Sequence, residues 1–335
     1  MMNQFDIYLQ KLESSMQQFV TTAEKQPVFL YNMIQYHMGW VNRDFSEQTV
    51  KGGKRLRPLL LLLCCEAVGG QWQLALPAAI AVELLHNFTL IHDDIEDRDE
   101  LRHGQSTLWY LWGIPQAINA GDSLYALSYK ALLSLNRDKV KIMHILECIK
   151  AYTETIITIT EGQCLDISFE TRQHVNESDY MTMISGKTAK LFGLSCELGG
   201  IIGGAPQETQ QHLKAFGTAL GMAFQMQDDI LGLWGDPNST GKPVGSDLVK
   251  GKKTLPIIHC ASQNAEFQII TKPPLETESI TLAMKLLDST LSYDYTLQKA
   301  NNYMEHAQIA LDAIFTPAKQ KKIITLTQGL SKRER

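Results

Sequence analysis

The segment from Pro77 to Asp97 constrains the fold more than any other part of the chain, because a long apolar run ends directly in a cluster of acids. No turn residue separates the two parts, so the segment predicts one helix with Pro77 at its first position. On that helix Asp93 and Asp97 lie one turn apart on the same face, and Asp94 flanks them. Two carboxylates so close repel each other unless a cation lies between them. Oxygen ligands at this spacing are typical of Mg²⁺ sites that substrate phosphates complete.

A second acidic pair, Asp228-Asp229, lies in another apolar stretch that begins at Met222. One such pair alone could be a solvated helix end. Acids at the C-terminal end of the first helix oppose its macrodipole, however, and that helix is strongly apolar. Two apolar helices that each carry an Asp-Asp pair predict a facing clamp for a diphosphate and its metal ions.

Helical periodicity runs through nearly the whole chain and predicts an all-α protein. The β-branched run Thr155–Thr160 resembles a strand, but its helical flanks favour a helix there. No linker or repeat divides the sequence, so we expect one domain over residues 1–335, a helical bundle with ligand sites on facing helices. Long helical segments are predicted at 58–68, 77–97, 115–134, 139–169, 178–202, 208–233 and 280–314.

Composition excludes several classes of protein. With 31 basic and 36 acidic residues the formal net charge is −5, which gives no support to nucleic-acid binding. The six cysteines have no CxxC spacing, so a zinc site or a disulfide framework is not expected and a reducing cytosol fits better. The N-terminus does not resemble a signal peptide, and the longest unbroken apolar run, Leu59 to Cys65, is far shorter than the roughly 20 residues of a membrane span. We therefore expect a cytoplasmic protein without a transmembrane segment.

Basic residues lie where phosphate groups would need them. A Gly-rich turn at 52–58 carries three cations just before an apolar helix, and His86 lies two turns before Asp93 on nearly the same face. A bare basic turn is usually solvated surface, and a lone histidine on a helix usually belongs to the core. Together with two acidic pairs, however, these groups fit a reaction between two diphosphates. Further cations follow the acidic pairs or lie in mid-chain: Arg102, Lys187, Lys242 and Lys252.

The chain resembles the trans-isoprenyl diphosphate synthases of the polyprenyl synthetase family, and bacterial geranylgeranyl diphosphate synthases in particular. The resemblance spans about 200 residues, with the motifs in family order. The matching stretches are GGKRLRP at 52–58, ELLHNFTLIHDDIED at 83–97, GDSL at 121–124, GQCLD at 162–166, KTAKLF at 187–192, FQMQDDILG at 224–232 and GKPVGSDLVKGKKTLP at 241–256.

The resemblance implies a role for each matching residue. Asp93, Asp97 and Asp228 would hold about three Mg²⁺ ions, with Asp94 and Asp229 in support. The diphosphate of isopentenyl diphosphate would bind to Lys54, Arg57 and His86. The allylic diphosphate would bind to Arg102, Lys187, Lys242 and Lys252, with Thr188 and Gln225 hydrogen-bonding around it. The family fold is an isoprenoid-synthase-type helical bundle around a central cavity, and a homodimer is expected.

The same resemblance implies a head-to-tail condensation. Metal ions and cations stabilise the departing diphosphate, the allylic cation is attacked by the double bond of isopentenyl diphosphate, and a proton is then lost. No side-chain base stands near the motifs, and the family assigns that role to the released diphosphate.

Two positions depart from the family pattern. Gly232 stands where many relatives have a third Asp, and His103 replaces the second Arg of an Arg-Arg-Gly motif. We expect activity to survive the first change, because the first Asp of that motif is the metal ligand. Histidine is a weaker phosphate ligand near neutral pH, so His103 is not expected to keep the arginine's role.

Product length depends on the depth of the cavity below the first acidic motif. Phe88 precedes Asp93 by five residues, or roughly 7.5 Å along a helix, and could form the floor. Thr89 and Leu85 belong to the same region. In the family an aromatic residue at this position resembles a C20 stop, which predicts geranylgeranyl diphosphate. Farnesyl and C25 products remain open, and Phe88 could simply pack against a neighbouring helix.

Other functions are open alternatives. A class I terpene cyclase would also use an acidic motif and Mg²⁺, but it would not need GGKRLRP and His86 for a second diphosphate. A non-catalytic partner subunit is a second alternative, and the complete set of Asp93, Asp97 and Asp228 argues against it. Head-to-head condensing enzymes, such as phytoene synthases, carry different motifs.

Overall fold

The computed structural model of the chain describes residues 4–23, 27–48, 53, 55–236, 244–271 and 275–331. Helices dominate these residues, which confirms the predicted all-α class. Among the described residues β-structure is confined to one isolated bridge and a hairpin of β1 (Leu101–Arg102) and β2 (Gln105–Ser106). The chain folds into two compact units, unit 1 (residues 1–151 and 195–210) and unit 2 (residues 152–194 and 211–335).

The α-helices are numbered here in chain order. The first nine are α1 (Asp6–Ala23), α2 (Val28–His37), α3 (Leu56–Ala67), α4 (Leu76–Glu96), α5 (Leu108–Trp112), α6 (Ile114–Leu133), α7 (Ile142–Thr171), α8 (Glu177–Ile184) and α9 (Lys190–Ile202). They are followed by α10 (Gln207–Trp234), α11 (Ser246–Val249), α12 (Leu255–Gln263), α13 (Ala265–Ile270), α14 (Thr277–Ser289), α15 (Ser292–Asp312) and α16 (Pro317–Ser331). A 3₁₀ turn (Trp72–Ala75) precedes α4, and a π-helix (Ser185–Ala189) joins α8 to α9.

Unit 1 is built on α4, which packs against α1, α3 and α6. The predicted helix 77–97 is confirmed, but it begins one residue earlier, so Pro77 is its second residue. Helix α6 comes close to α4 at Gly121, where an added Cβ would lie 2.4 Å from His92 Nε2. The stretch Trp72–Glu96 is long and apolar enough to cross a membrane, but 67% of its most apolar window is buried, as in the core helix of a globular unit.

Two apolar clusters of described residues lie in the core of unit 2. One contains Phe169, Tyr180 and Met226, and the other contains Leu233, Phe267 and Leu287. The β-branched run Thr155–Thr160 lies inside α7, as expected, because the flanking sequence is helical.

The prediction of one helix over 280–314 is wrong. Helix α14 ends at Ser289 and α15 begins at Ser292, with Leu291 in the left-handed region at φ 53°. The hydroxyl of Thr290 donates to the carbonyl oxygen of Leu286 at 2.9 Å and lies 2.8 Å from the Ser292 hydroxyl. Short polar side chains that bond to local backbone compete with helix continuation, and here they end the helix without Gly or Pro.

Candidate functional site

The first acidic motif lies at the C-terminal end of α4. The backbone N–H of Asp97 donates to the carbonyl oxygen of Asp93 at 2.8 Å, so the helical spacing continues one residue past Glu96. The side chains of Asp93 and Asp97 are partly exposed, whereas Asp94 is buried. Asp93 and Asp97 therefore share one accessible face, as the sequence predicts.

Asp94 is occupied by a tertiary contact rather than turned to solvent. Its Oδ1 accepts a hydrogen bond from Arg102 Nε at 2.7 Å. Burial raises the pKa of Asp94 to about 6, and the Arg102 guanidinium opposes that rise. The acid thus orients one of the predicted allylic-diphosphate ligands.

Arg102 lies on a two-stranded hairpin whose corner is His103-Gly104. Both corner residues have positive φ, 51° and 78°, as a two-residue turn requires. The carbonyl oxygen of Asp99 accepts hydrogen bonds from Thr107 Oγ1 at 2.8 Å and Trp109 Nε1 at 2.9 Å, which attach the hairpin to the end of α4. The departure at His103 therefore falls on an exposed turn corner.

Two arginines lie at the start of α3, Arg55 directly before the helix and Arg57 in its first turn, and their surroundings differ. Arg55 is buried and forms ion pairs with Glu13 at 3.1 Å and Glu83 at 2.8 Å. Arg57 is partly exposed, and its Nη1 lies 3.1 Å from His86 Nε2 on α4. The structure thus brings together two of the three residues predicted for isopentenyl diphosphate. The third, Lys54, lies outside the described residues.

His86 is neutral in this setting. Enclosure by the protein holds the pKa of His86 well below its usual range, and the nearby charge of Arg57 lowers it further. Because a guanidinium can only donate, Nε2 of His86 accepts the hydrogen bond from Arg57. His86 can therefore contribute hydrogen bonds, while Arg57 supplies the positive charge.

The second acidic motif lies on α10 in unit 2. Asp228 is exposed, whereas Asp229 is 3% exposed. Asp229 accepts three hydrogen bonds, from Tyr180 Oη at 2.5 Å, Gln225 Nε2 at 3.0 Å and the backbone N–H of Leu255 at 3.1 Å. Burial raises the pKa of Asp229 to about 7, and these hydrogen bonds oppose the rise. Sequence reasoning does not single out Tyr180, which lies outside every recognised motif.

Lys187 lies in the π-helix, the form in which single-turn bulges are common at functional sites. Its Nζ donates to Asp166 Oδ2 at 2.5 Å. An added Cβ at Gly162 would lie 2.2 Å from the backbone nitrogen of Lys187, so α7 and the π-helix touch backbone to backbone there. Asp166 is the last residue of the GQCLD stretch, and sequence reasoning gives it no role, although an acid one turn after Gly162 is a usable signal.

The remaining predicted ligands of unit 2 are placed as follows. Thr188 is buried, and its hydroxyl donates to Gln225 Oε1 at 2.8 Å, so the structure joins these two residues. Lys252 is partly exposed in the segment before α12, and its backbone N–H donates to the carbonyl oxygen of Asp247 at 3.0 Å. Lys242 lies outside the described residues.

Gly232, the second departure from the family pattern, lies against another acid. An added Cβ there would be 2.2 Å from Asp247 Oδ2, and Asp247 also raises the pKa of the buried Asp229, behind the larger effect of burial. The Asp247 carboxylate occupies the space that a side chain at position 232 would need. Sequence reasoning does not identify Asp247.

The three residues linked to product length lie on α4. Leu85 is fully buried, and the Thr89 hydroxyl donates to the carbonyl oxygen of His86 at 2.8 Å. The ring of Phe88 is partly buried and packs against His92 at 4.7 Å and against Tyr125 of α6 at 5.2 Å between centroids. Tyr125 was not predicted, because only the packing of α6 on α4 places it beside Phe88.

The donor set fits a magnesium ion that a substrate completes. Within the part of the chain that the structure describes, no group of three His, Cys, Asp or Glu side chains is arranged to hold a metal ion. Mg²⁺ usually binds through one or two carboxylates together with substrate phosphates rather than in an all-protein cage. The partly exposed pair Asp93 and Asp97 supplies two carboxylates at the required spacing.

Known proteins combine this fold with these motifs. The structure of geranylgeranyl pyrophosphate synthetase from Pyrococcus horikoshii matches with a TM-score of 0.88 and 32% identity, over 98% of this chain and 96% of that one. A geranylgeranyl diphosphate synthase of Methanosarcina mazei is 38% identical over 84% of this chain and 86% of its own length. A (2E,6E)-farnesyl diphosphate synthase of Mycobacterium tuberculosis is 40% identical over 70% of this chain and 64% of its own length.

The structural match shows the isoprenoid-synthase type of helical fold. The model of the polyprenyl synthetase family matches residues 40–287, which is most of the chain. The chain therefore belongs to the polyprenyl synthetase family and is a prenyltransferase of the prenyl diphosphate synthase class. Because its relatives include both geranylgeranyl and farnesyl diphosphate synthases, family membership leaves the product length open.

Proposed function

We propose that the chain condenses isopentenyl diphosphate with an allylic prenyl diphosphate and that its end product is geranylgeranyl diphosphate. The observation that carries the proposal is the contact between Arg57 and His86, since His86 lies on the helix that leads to Asp93 and Asp97. Unit 1 thus has a cationic site for one diphosphate in addition to an acidic site for metal ions. A terpene cyclase has only one diphosphate to bind and gains nothing from the first site.

The side chains that would bind diphosphate divide into two groups, one for each substrate. Arg57 would contribute a bidentate fork to the diphosphate of isopentenyl diphosphate, and neutral His86 would contribute a hydrogen bond. Arg102, held by Asp94, and Lys187, held by Asp166, would bind the allylic diphosphate. By family motif Lys54 joins the first group, and Lys242, Lys252, Thr188 and Gln225 join the second.

Bound Mg²⁺, about three ions per site on Asp93, Asp97 and Asp228, would supply Lewis-acid stabilisation of the charge that develops on the leaving diphosphate. The cations of the chain add to that stabilisation, because they are preorganised by their partner carboxylates before substrate binds. Apolar side chains of α4 before Asp93, including Leu85 and Phe88, would keep water from the reacting carbon.

The condensation exchanges one C–O bond for one C–C bond. The C–O bond of the allylic substrate breaks, and its electron pair leaves with the diphosphate. The double bond of isopentenyl diphosphate then attacks the allylic cation to form a C–C bond, which requires the two chains to be held at reacting distance. A proton is lost to the released diphosphate and a new double bond forms. That the two acidic motifs face each other across a cavity, within one domain over 1–335, stays a prediction.

Phe88 supports the C20 product. Its ring packs beside Tyr125 of α6, so two aromatic rings rather than one would border the growing chain. We expect Phe88→Ala to lengthen the product, as sized by mass spectrometry. Tyr125→Phe keeps the second ring and is the matched control, with no expected change. An unchanged product from Phe88→Ala would show that Phe88 is not the floor.

A homodimer is part of the proposal. Several large apolar side chains of unit 1 are exposed on α6 and the start of α7, including Leu133, Met143 and Leu146. An exposed apolar patch often marks a protein interface, and we propose that these side chains form one. We expect light scattering to give a dimer mass and Met143→Glu with Leu146→Glu to lower it. Ile269→Glu, at a 67% exposed site in unit 2, is the control. A monomeric wild type would contradict the dimer.

The test of function is incubation of the pure protein with Mg²⁺, isopentenyl diphosphate and, separately, C5, C10 and C15 allylic diphosphates. We expect a C20 diphosphate as the end product. A C15 or C25 end product would keep the chemistry and contradict the product assignment. A hydrocarbon formed without isopentenyl diphosphate would indicate a cyclase, and no turnover would favour a non-catalytic partner subunit.

A cytoplasmic location stays a prediction.

A further inference from the structure

Tyr180 of α8 is a buried polar side chain that lies outside every motif of the family pattern. It is 1% exposed and belongs to an apolar cluster with Phe169, Met183 and Met226. A phenol hydroxyl in such a core needs a hydrogen-bond partner. Its partner is Asp229 Oδ2, at 2.5 Å.

Asp229 uses the same oxygen to hold the start of another helix. Oδ2 also accepts from the backbone N–H of Leu255, the first residue of α12, at 3.1 Å. The ordinary N-cap residue, Thr254, makes no capping hydrogen bond, and its buried hydroxyl has no hydrogen-bond partner among the described residues. Asp229 therefore caps α12 from α10 and fixes the end of the segment that carries Lys252.

The network continues on the other oxygen of Asp229. Oδ1 accepts from Gln225 Nε2 at 3.0 Å, and Gln225 Oε1 accepts from Thr188 Oγ1 at 2.8 Å. One carboxylate thus joins helix α8, the π-helix that contains Thr188 and Lys187, helix α10 and the start of α12. Adjacent residues on a helix point about 100° apart, so the rotation of α10 that buries Asp229 is also the rotation that exposes Asp228.

We propose that Tyr180 is a positioning residue of the second acidic motif. By holding Asp229, it preorganises Asp228 and the Lys252 segment for a metal-bound diphosphate. The inference rests on the proposed function. Because Tyr180 is buried, it would not contact the substrate itself. It acts by restricting Asp229, the junction of the four elements.

The test compares Tyr180→Phe with Tyr303→Phe. Both substitutions remove one hydroxyl, and Tyr303 is a partly buried residue that packs against the same apolar cluster. Loss of a hydrogen bond to a carboxylate predicts about a tenfold rise in the Mg²⁺ concentration for half-maximal activity of Tyr180→Phe. The KM for isopentenyl diphosphate should stay within about twofold of wild type, because Arg57 and His86 belong to unit 1.

A second readout is independent of turnover. Mg²⁺ with inorganic pyrophosphate should raise the unfolding temperature of wild type and of Tyr303→Phe by equal amounts and that of Tyr180→Phe by clearly less. A purely structural tyrosine would lower the unfolding temperature without changing this increment. Asp229→Asn should reproduce the Mg²⁺ effect, and the double variant should be less than additive.

The inference would be overturned if Tyr180→Phe and wild type had equal Mg²⁺ dependence and equal increments in unfolding temperature with pyrophosphate. It would also be overturned if Tyr303→Phe changed these two quantities as much as Tyr180→Phe does. If Tyr180→Phe does not fold, an unaltered Mg²⁺ dependence of Asp229→Asn overturns it, because Tyr180 can act only through Asp229. Wild type that forms no prenyl diphosphate would instead overturn the proposed function, which keeps the two failures distinct.

Discussion

The two acidic pairs look alike in sequence but are held in different ways. In each pair the first aspartate is the more exposed and the second is buried. Asp94 is held by one charged partner, Arg102, whose side chain is 27% exposed, whereas Asp229 is held by three uncharged donors from different parts of unit 2. The first pair therefore depends on charge at a partly solvated hairpin, and the second depends on a buried scaffold.

The difference has electrostatic consequences. Burial raises the pKa of both buried acids, to about 6 for Asp94 and about 7 for Asp229. A cation opposes the rise in the first, and neutral hydrogen bonds oppose it in the second, where Asp247 adds a further negative charge. Removing Asp94 and removing Asp229 should therefore lower the free energy of unfolding by different amounts.

The largest expected effect is the loss of the scaffold carboxylate. Asp229→Ala leaves three donors without their acceptor, two of them buried, and should lower the free energy of unfolding by about 3 kcal/mol. Asp94→Ala strands only the partly exposed Arg102 and should cost about 1 kcal/mol. Urea unfolding of both variants measures the difference, and equal losses would remove the distinction between the pairs.

Acid should weaken the cation-rich surroundings of the first pair. Burial, together with the nearby charges of Arg102, Arg55 and His103, lowers the pKa of His37 to about 3. The unfolded chain binds this proton below about pH 6.5 and the folded chain does not, so stability falls as pH drops from 6.5 towards 3. Between pH 7 and 5 the loss from His37 is roughly 2 kcal/mol.

His37→Gln carries no titrating group, so its stability should fall less over the same pH range, as measured by thermal unfolding in matched buffers. An unchanged pH slope in His37→Gln would show that His37 titrates normally.

Gly232 gives a smaller test within the second motif. Gly232→Asp would place a second carboxylate against Asp247, and like charges at contact should reduce turnover about tenfold. Gly232→Ala needs only a shift of the flexible end of Asp247, so its turnover should stay within about twofold of wild type. Steady-state kinetics of the two variants decides the point. A gain of activity in Gly232→Asp would mean that the lack of the family's third aspartate limits the activity of this protein.

The smallest effect is expected at the hairpin corner of the first motif. His103 is exposed at a position with φ 51°, so His103→Arg restores the family residue without changing a buried contact. Turnover with the allylic substrate should change less than about threefold, since an exposed charge is strongly screened. A gain beyond about tenfold in kcat/KM would show that this departure limits the enzyme.

Much of the fold could be predicted because long apolar periodicity dominates its helices. The predicted helix 77–97 differs from the observed α4 by one residue at each end, and the run at 155–160 is helical despite its β-branched residues. The break between α14 and α15 could not be predicted, because it depends on hydroxyl groups of Thr290 and Ser292 rather than on Gly or Pro.

The candidate site was predictable by residue type but not by partner. Arg57 with His86 and Thr188 with Gln225 are pairs that the sequence motifs named and the structure joins. Which aspartate of each pair is buried and which is exposed could not be predicted from the sequence. The contact that holds Asp229, for example, comes from Tyr180, 49 positions away in the chain. Asp247 beside Gly232 and Asp166 beside Lys187 were missed for the same reason.

The most direct test of the account compares four single variants, Asp93→Asn, Asp94→Asn, Asp228→Asn and Asp229→Asn, by turnover and by unfolding in the absence of metal. Asp93→Asn and Asp228→Asn should lose at least about a hundredfold in turnover and should unfold like wild type. Asp94→Asn and Asp229→Asn should lose stability, and Asp229→Asn should lose more. Full turnover in Asp228→Asn, or a stability loss in Asp93→Asn as large as that in Asp229→Asn, would contradict it.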